Sequence, residues 1–232
     1  MKIKKKNLTI AIDGPIGVGK SSLAFLLAQK LNLTYIYTGA MYRIVAYLAL
    51  KNNLALNDQE KITFLLKKSE IKLDQPSKKD RYTDAILNGR NITHQLFTKE
   101  TSRAVAYTSK LKKVRQYLVK LQQKLAKNKA VIMEGRDIGT KVLPQADLKI
   151  FLTADTKVRA ERRWNQLKKI NKPRSFAQVL KELNQRDKID CQRQESPLEK
   201  AADAWILDTT KLTIPATVDA VINKLREKKL ID

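Results

Sequence analysis

Apolar and polar positions alternate between two periods along this chain, and the switch between them predicts its elements. A short β-branched run, Leu8–Ile12, reads as a buried parallel strand. From Ser22 to Leu31 apolar residues recur at helical spacing with no glycine or proline, which predicts a helix. The pattern then predicts a strand over Leu33–Tyr37 and a helix over Ala40–Lys51. A further helix runs to about Lys68, opened by the cap and first-turn acids of Asn57-Asp58-Gln59-Glu60. Between about Ser69 and Gln95 the texture changes. Ile71–Asp74 alternates, Gln75–Asp80 carries turn chemistry, and Thr83–Gly89 reads as a strand entering a tight turn. These residues predict a small antiparallel β insert. Helices are expected over Lys99–Tyr107 and Lys112–Lys127, and buried strands over Val131–Glu134 and Leu148–Leu152. Helices over Thr156–Lys168 and Ser175–Arg186, a strand over Ala204–Asp208 and a helix over Pro215–Lys229 complete the chain. Strands alternating with helices mark an α/β protein on a parallel sheet.

The chemistry begins between the first strand and the first helix. Gly14-Pro15-Ile16-Gly17-Val18-Gly19-Lys20-Ser21 spells the G-x-x-x-x-G-K-S phosphate-binding loop, and Ser22 continues into the helix. Its glycines let backbone N–H groups close round a polyphosphate at a helix N-terminus. Lys20 is placed to reach β- and γ-phosphates, and the Ser21 hydroxyl to ligand Mg²⁺. A nucleoside triphosphate is therefore the expected ligand.

Other polar clusters follow predicted strand ends, where ligands collect in open α/β sheets. Thr38-Gly39-Ala40-Met41-Tyr42-Arg43 follows the second strand, and Glu134-Gly135-Arg136-Asp137-Ile138-Gly139-Thr140 follows the third core strand. Arg159, Arg162 and Arg163 share a helix face by spacing, with Lys168, Lys169, Lys172 and Arg174 after them. Arg186, Asp190 and Arg193 stand four and three residues apart. Each alone reads as a solvated ion pair. Together they supply the cations that phosphoryl transfer needs around a moving charge.

Composition narrows the class. A length of 232 residues suits one large α/β domain, and no run approaches the apolar length of a membrane span. The single cysteine, Cys191, forbids an internal disulfide, and with the lysine-rich opening, which lacks an apolar signal core, it predicts a cytoplasmic protein. The lone His94 reads as a loop residue. The net charge of +24 admits a nucleic-acid partner, an anionic substrate or a lysine-rich background. From Thr101 to Met133 there is no acidic residue, yet aromatics are only 6% of the chain and are not grouped for stacking. Weak, salt-dependent affinity for nucleic acid is expected; specific recognition is not.

The quoted motifs, together with Leu143–Ala154, Leu87-Asn88-Gly89 with Ile92-Thr93, and Arg186-Asp187, closely resemble the bacterial cytidylate kinases, which are P-loop nucleoside monophosphate kinases. The resemblance spans roughly Leu8 to Lys229. It implies a five-stranded parallel sheet with helices on both faces, a core of 1–68 and 96–232, an insert at 69–95 and a short helical lid at about 162–178. It implies transfer of the γ-phosphoryl of ATP to CMP or dCMP with Mg²⁺, by a monomer. By position, Arg43, Arg136, Arg186 and Arg193 would grip phosphates, with Thr38 and Tyr42 beside them. Arg115 and Asp137 would read the cytosine edge, Asp190 would contact the ribose, and Arg159, Arg162 and Arg163 would begin the lid, with Arg159 and Arg163 serving ATP. Three positions depart from the family pattern. Glu134 replaces an aspartate, Ile189 and Cys191 stand where more arginine is usual, and Ala106 stands for a serine that helps bind cytosine. A kinase of another small metabolite, such as shikimate, is the nearer rival reading, and a nucleic-acid-binding module the more distant one.

Overall fold

The computed structural model describes residues 2–78, 81–169 and 174–232. The expected turn residues Lys79 and Asp80, and residues 170–173 of the expected lid with Lys172, lie outside that set. In chain order the elements are β1 (Thr9–Asp13), α1 (Lys20–Leu31), β2 (Thr34–Tyr37), α2 (Thr38–Lys51), α3 (Gln59–Lys67), β3 (Ile71–Asp74), β4 (Asp84–Leu87) and β5 (Arg90–Asn91). They continue as α4 (Lys99–Thr108), α5 (Lys112–Ala126), β6 (Val131–Glu134), β7 (Leu148–Thr153), α6 (Thr156–Lys169), α7 (Phe176–Gln192), β8 (Trp205–Asp208) and α8 (Ile214–Glu227).

A five-stranded parallel sheet has the order β2-β6-β1-β7-β8, and a second, antiparallel sheet the order β3-β4-β5. Ile10 pairs with Ile132 of β6 on one side and Leu148 of β7 on the other, so β1 is central. Ile10, Ala11 and Ile12 are all wholly buried although successive side chains point to opposite faces. Both faces of the strand are therefore covered, as the unbroken apolar run predicted. The two compact units are Met1–Tyr35 with Asn128–Asp232, and Ile36–Lys127. In the first, Leu8, Ile10 and Ile12 meet Leu23, Leu27 and Leu31 of α1 and Val221 and Leu225 of α8 in one apolar core. The four-residue spacing of the α1 leucines gives that helix its buried stripe. In the second unit Met41, Ile44 and Leu48 of α2 pack with Ile62, Leu66, Val114 and Leu118.

Three departures from the sequence reading concern the site. Helix α2 starts at Thr38, directly after β2, and not at Ala40. A Cβ on Gly39 would lie 2.7 Å from the Tyr37 ring, so the bare glycine lets the chain turn there. Helix α7 continues six residues past Arg186 to Gln192, because nothing between them breaks it. The stretch after β6 closes in a π-type helical turn over Ile138–Val142, which the sequence pattern did not foretell. Two short pieces were not foreseen, β5 and a 3₁₀ turn over His94–Phe97. Asn88 and Gly89 both take positive φ, 48° and 75°, the geometry of a two-residue hairpin turn between β4 and β5.

Candidate active site

Strand β1 sits where the sheet order reverses, with β6 and β7 on either side. In open α/β sheets the crevice beyond such carboxyl ends takes the ligand. The phosphate loop leaves β1 at that point. Gly14 has φ of 145°, and a Cβ there would lie 2.3 Å from the Leu152 oxygen of β7, so no side chain fits between loop and sheet. Gly19 caps α1 in the left-handed region, at φ 96°. The loop thus presents backbone N–H groups ahead of a twelve-residue helix.

Lys20 is 5% exposed and curls back into its own loop, donating to the Gly14 oxygen at 2.8 Å and the Pro15 oxygen at 2.6 Å. Burial, aided by the Arg136 charge, pushes its pKa from 10.5 down to about 7. A bound polyphosphate would favour the ammonium and raise that value again. Titration calorimetry of ATP between about pH 7 and pH 10 should therefore show net proton uptake, read from buffers of different ionisation enthalpy. Binding without uptake would mean Lys20 does not face the phosphates.

Ser21 donates its hydroxyl to Glu134 at 2.8 Å, and the Tyr35 hydroxyl reaches the same carboxylate oxygen at 3.4 Å. A hydroxyl and a carboxylate joined at the root of the phosphate loop form an oxygen donor pair that suits Mg²⁺, so the residues present fit that ion.

A second charged group lies at the end of β6 and along α7. Asp190, 0% exposed, accepts a hydrogen bond from Arg136 Nε at 2.8 Å and pairs ionically with Arg186 Nε at 3.3 Å and Arg193 Nη1 at 3.6 Å. Burial opposes ionisation of Asp190, but the three guanidinium groups outweigh it and hold the carboxyl below its ordinary range. The extra turns of α7 make this possible, placing Arg186 and Asp190 one helical turn apart. Asp137, 4% exposed, lies 3.9 Å from Arg193 Nη2. One buried acid gathers three guanidinium groups from two separate sequence motifs.

The expected lid arginines divide. Arg159 is buried, donating to Ile16 O at 3.2 Å, Ala154 O at 3.1 Å and Thr156 Oγ1 at 2.9 Å, and pairing with Asp187 at 2.5 Å. Asp187 also receives the Ile16 N–H at 3.4 Å, so α6 and α7 both grip the phosphate loop. Arg162 turns to the Thr209 and Leu212 oxygens, whereas Arg163 bonds along its helix to Gln166. The three do not present one common face to a ligand. No signal in the spacing foretold the role of Asp187, which needs the fold to bring α7 to the loop. Cys191 is exposed late on α7.

In the second unit Arg43 donates to the Leu96 oxygen at 2.9 Å and Ser102 Oγ at 3.0 Å, with its guanidinium 5.0 Å from the Phe97 ring centre. Arg115, 2% exposed, donates to the Ser109 oxygen at 3.0 Å and stacks 4.8 Å from the Tyr42 ring centre. Two residues from one sequence motif, Tyr42 and Arg43, thus anchor different arginine contacts. His94, expected in a loop, instead opens the 3₁₀ turn after β5, with Nε2 3.2 Å from Arg81 Nη2.

A phosphate loop on the central strand of a five-stranded parallel sheet, faced by an arginine cluster, defines a P-loop kinase. The family model for cytidylate kinase matches residues 10–227. A cytidylate kinase of Desulfitobacterium hafniense (strain Y51) is 45% identical over 224 residues, covering 97% of this chain and 95% of that protein. One from Bacillus subtilis (strain 168) is 41% identical over 224 residues, covering 97% and 99%. A solved structure of an uncharacterized protein from Eubacterium ventriosum ATCC 27560 shares the fold at 13% identity and a TM-score of 0.53, over 96% of this chain and 99% of that one. The chain belongs to the cytidylate kinase family, enzymes that phosphorylate nucleoside monophosphates.

Proposed function

We propose that the protein transfers the γ-phosphoryl group of ATP to CMP or dCMP, yielding ADP and CDP or dCDP, with Mg²⁺. The observation that carries this reading is the Arg136–Arg186–Arg193 group gathered on Asp190, in the same unit as a complete phosphate loop. A transferring phosphoryl group spreads negative charge over its oxygens, and preorganised cations stabilise it. Loop amides and Lys20 hold the triphosphate. Ser21 and Glu134 would hold Mg²⁺, which when bound would supply positive charge against the triphosphate. Arg136, Arg186 and Arg193 draw in the acceptor phosphate and screen its repulsion from the donor. That acceptor is already an anion, so no side chain has to remove a proton.

On the acceptor, Thr38, Tyr42 and Arg43 keep the phosphate roles the resemblance gives them, and Arg115 and Asp137 the base roles. Arginine donates to O2 and N3 of cytosine, while the carboxylate accepts from the exocyclic amine. UMP would set a carbonyl against that carboxylate, acceptor to acceptor. Asp137→Ala is therefore expected to narrow the ratio of kcat/KM for CMP over UMP by roughly tenfold or more. Ala106→Ser should lower KM for CMP only about two- to tenfold. An unchanged ratio in Asp137→Ala would remove Asp137 from base recognition.

The experiment that tests the whole reading is a coupled assay of ATP consumption across CMP, dCMP, UMP, AMP and shikimate, with and without Mg²⁺. Turnover with CMP or dCMP, dependent on Mg²⁺, is expected to dominate. A preference for another acceptor would overturn the assignment.

A further inference from the structure

Asp13 is the last residue of β1, placed directly before Gly14 of the phosphate loop. It is 5% exposed, and no role described above uses it. Its two carboxylate oxygens are divided between two backbone donors: Oδ1 receives the Ile138 N–H at 2.8 Å, and Oδ2 the Gly139 N–H at 2.7 Å. Both donors belong to the turn that follows Arg136 and Asp137. The backbone bond from Gly135 N to Ile12 O, 2.9 Å, is where main-chain pairing of the third core strand with β1 ends. Beyond it the Asp13 side chain continues the connection. The fit is close, since a Cβ on Gly139 would stand 3.4 Å from Asp13 Oδ2 and 3.3 Å from the Lys149 Cδ.

We propose that Asp13 is a positioning residue which, through the Ile138 and Gly139 amides, sets the placement of Arg136 and Asp137 relative to the phosphate loop and so tunes the affinity for the monophosphate acceptor. A neutral amide cannot replace it, because Asn offers one acceptor oxygen for two N–H donors. Keeping a carboxylate here opposes the local environment. Burial pushes its pKa up to about 6, reinforced by Asp137, although the two amide bonds and Lys20 act in the other direction. A group retained ionised against burial, at the root of a site, suits positioning better than it suits packing.

The consequence for the acceptor rests on the function proposed above, so the test separates the two. Asp13→Asn and, as a second variant that leaves the carboxylate intact, Gly139→Ala are compared with the wild type in amide hydrogen exchange and steady-state kinetics. Exchange at Ile138 and Gly139 should accelerate at least about tenfold in Asp13→Asn, with a smaller change in Gly139→Ala. KM for CMP should rise roughly tenfold in Asp13→Asn, while KM for ATP stays within about twofold. Unchanged exchange, or equal rises in both KM values, would overturn the positioning role. Accelerated exchange with an unaltered KM for CMP would overturn its effect on the acceptor. A wild type inert toward every monophosphate would instead defeat the functional reading, with the exchange measurement still deciding whether Asp13 holds the turn.

Discussion

Lys20→Met is expected to lower kcat roughly a hundred- to a thousandfold while the fold survives. Preorganised charge aimed at the transferring group is usually the largest catalytic contribution, and losing one such donor costs about two to three orders of magnitude in rate. The substitution is safe for the fold on specific grounds. Lys20 is buried, and burial drives its pKa down to about 7, so the ammonium is held against its surroundings. Methionine has similar length, no charge to desolvate and freedom to fill the same channel. The Gly14 and Pro15 oxygens lose a donor, which sets a modest opposing cost. Circular dichroism and thermal unfolding should therefore show a folded protein of near wild-type stability. Turnover measured at saturating ATP and CMP checks the rate. A folded Lys20→Met variant with near wild-type kcat would mean the loop binds phosphate without Lys20 taking part in transfer.

Asp190→Asn should produce the largest loss of stability of any single change in the site. It leaves Arg136, Arg186 and Arg193 crowded without their common counter-charge, with the Arg193 side chain only 4% exposed. Removing one partner from a buried ionic group costs about 3–5 kcal/mol, because the remaining charges stay buried and uncompensated. The pH dependence follows from the depressed Asp190 pKa. A carboxyl held below its ordinary value contributes stability above the unfolded-state pKa, and loses it as pH falls through the lower folded-state value. The wild type should therefore lose this contribution below about pH 4, whereas Asp190→Asn lacks it at every pH. Sulfate or phosphate should stabilise the variant more than the wild type, since an anion can take the vacated place among the arginines. Thermal unfolding against pH and sulfate concentration checks both points. A variant that unfolds like the wild type at pH 7, with no greater response to sulfate, would show that the arginines do not depend on Asp190.

The pattern of residues made the sheet, its helices and the phosphate loop legible because those features are local. Leu8–Ile12 needs no distant partner to announce a buried strand, and Gly14–Ser21 announces its ligand through its own backbone. What stayed hidden depended on long-range contacts. Spacing places Arg159 on a helix face with Arg162 and Arg163, but not the partners its donors take in the fold, Ile16, Ala154, Thr156 and Asp187. The join of Glu134 to Ser21 spans 113 residues, and Asp13 meets Ile138 across 125. Neither separation leaves a periodic trace. The end of α7 was hidden for the opposite reason. Its polar run from Arg186 resembles an exit from a helix, while burial of Asp190 makes it a continuation.

The tie between Arg159, Asp187 and Ile16 carries an evolutionary consequence. Arg159 and Asp187 complete each other across two helices, so losing either strands a charge near the phosphate loop. Divergence at one of these positions should therefore be accompanied by divergence at the other. Among relatives that keep the phosphate loop, chains carrying arginine at the first site without an acid at the second should be scarce, and paired replacement by two neutral side chains should be the commoner route of change.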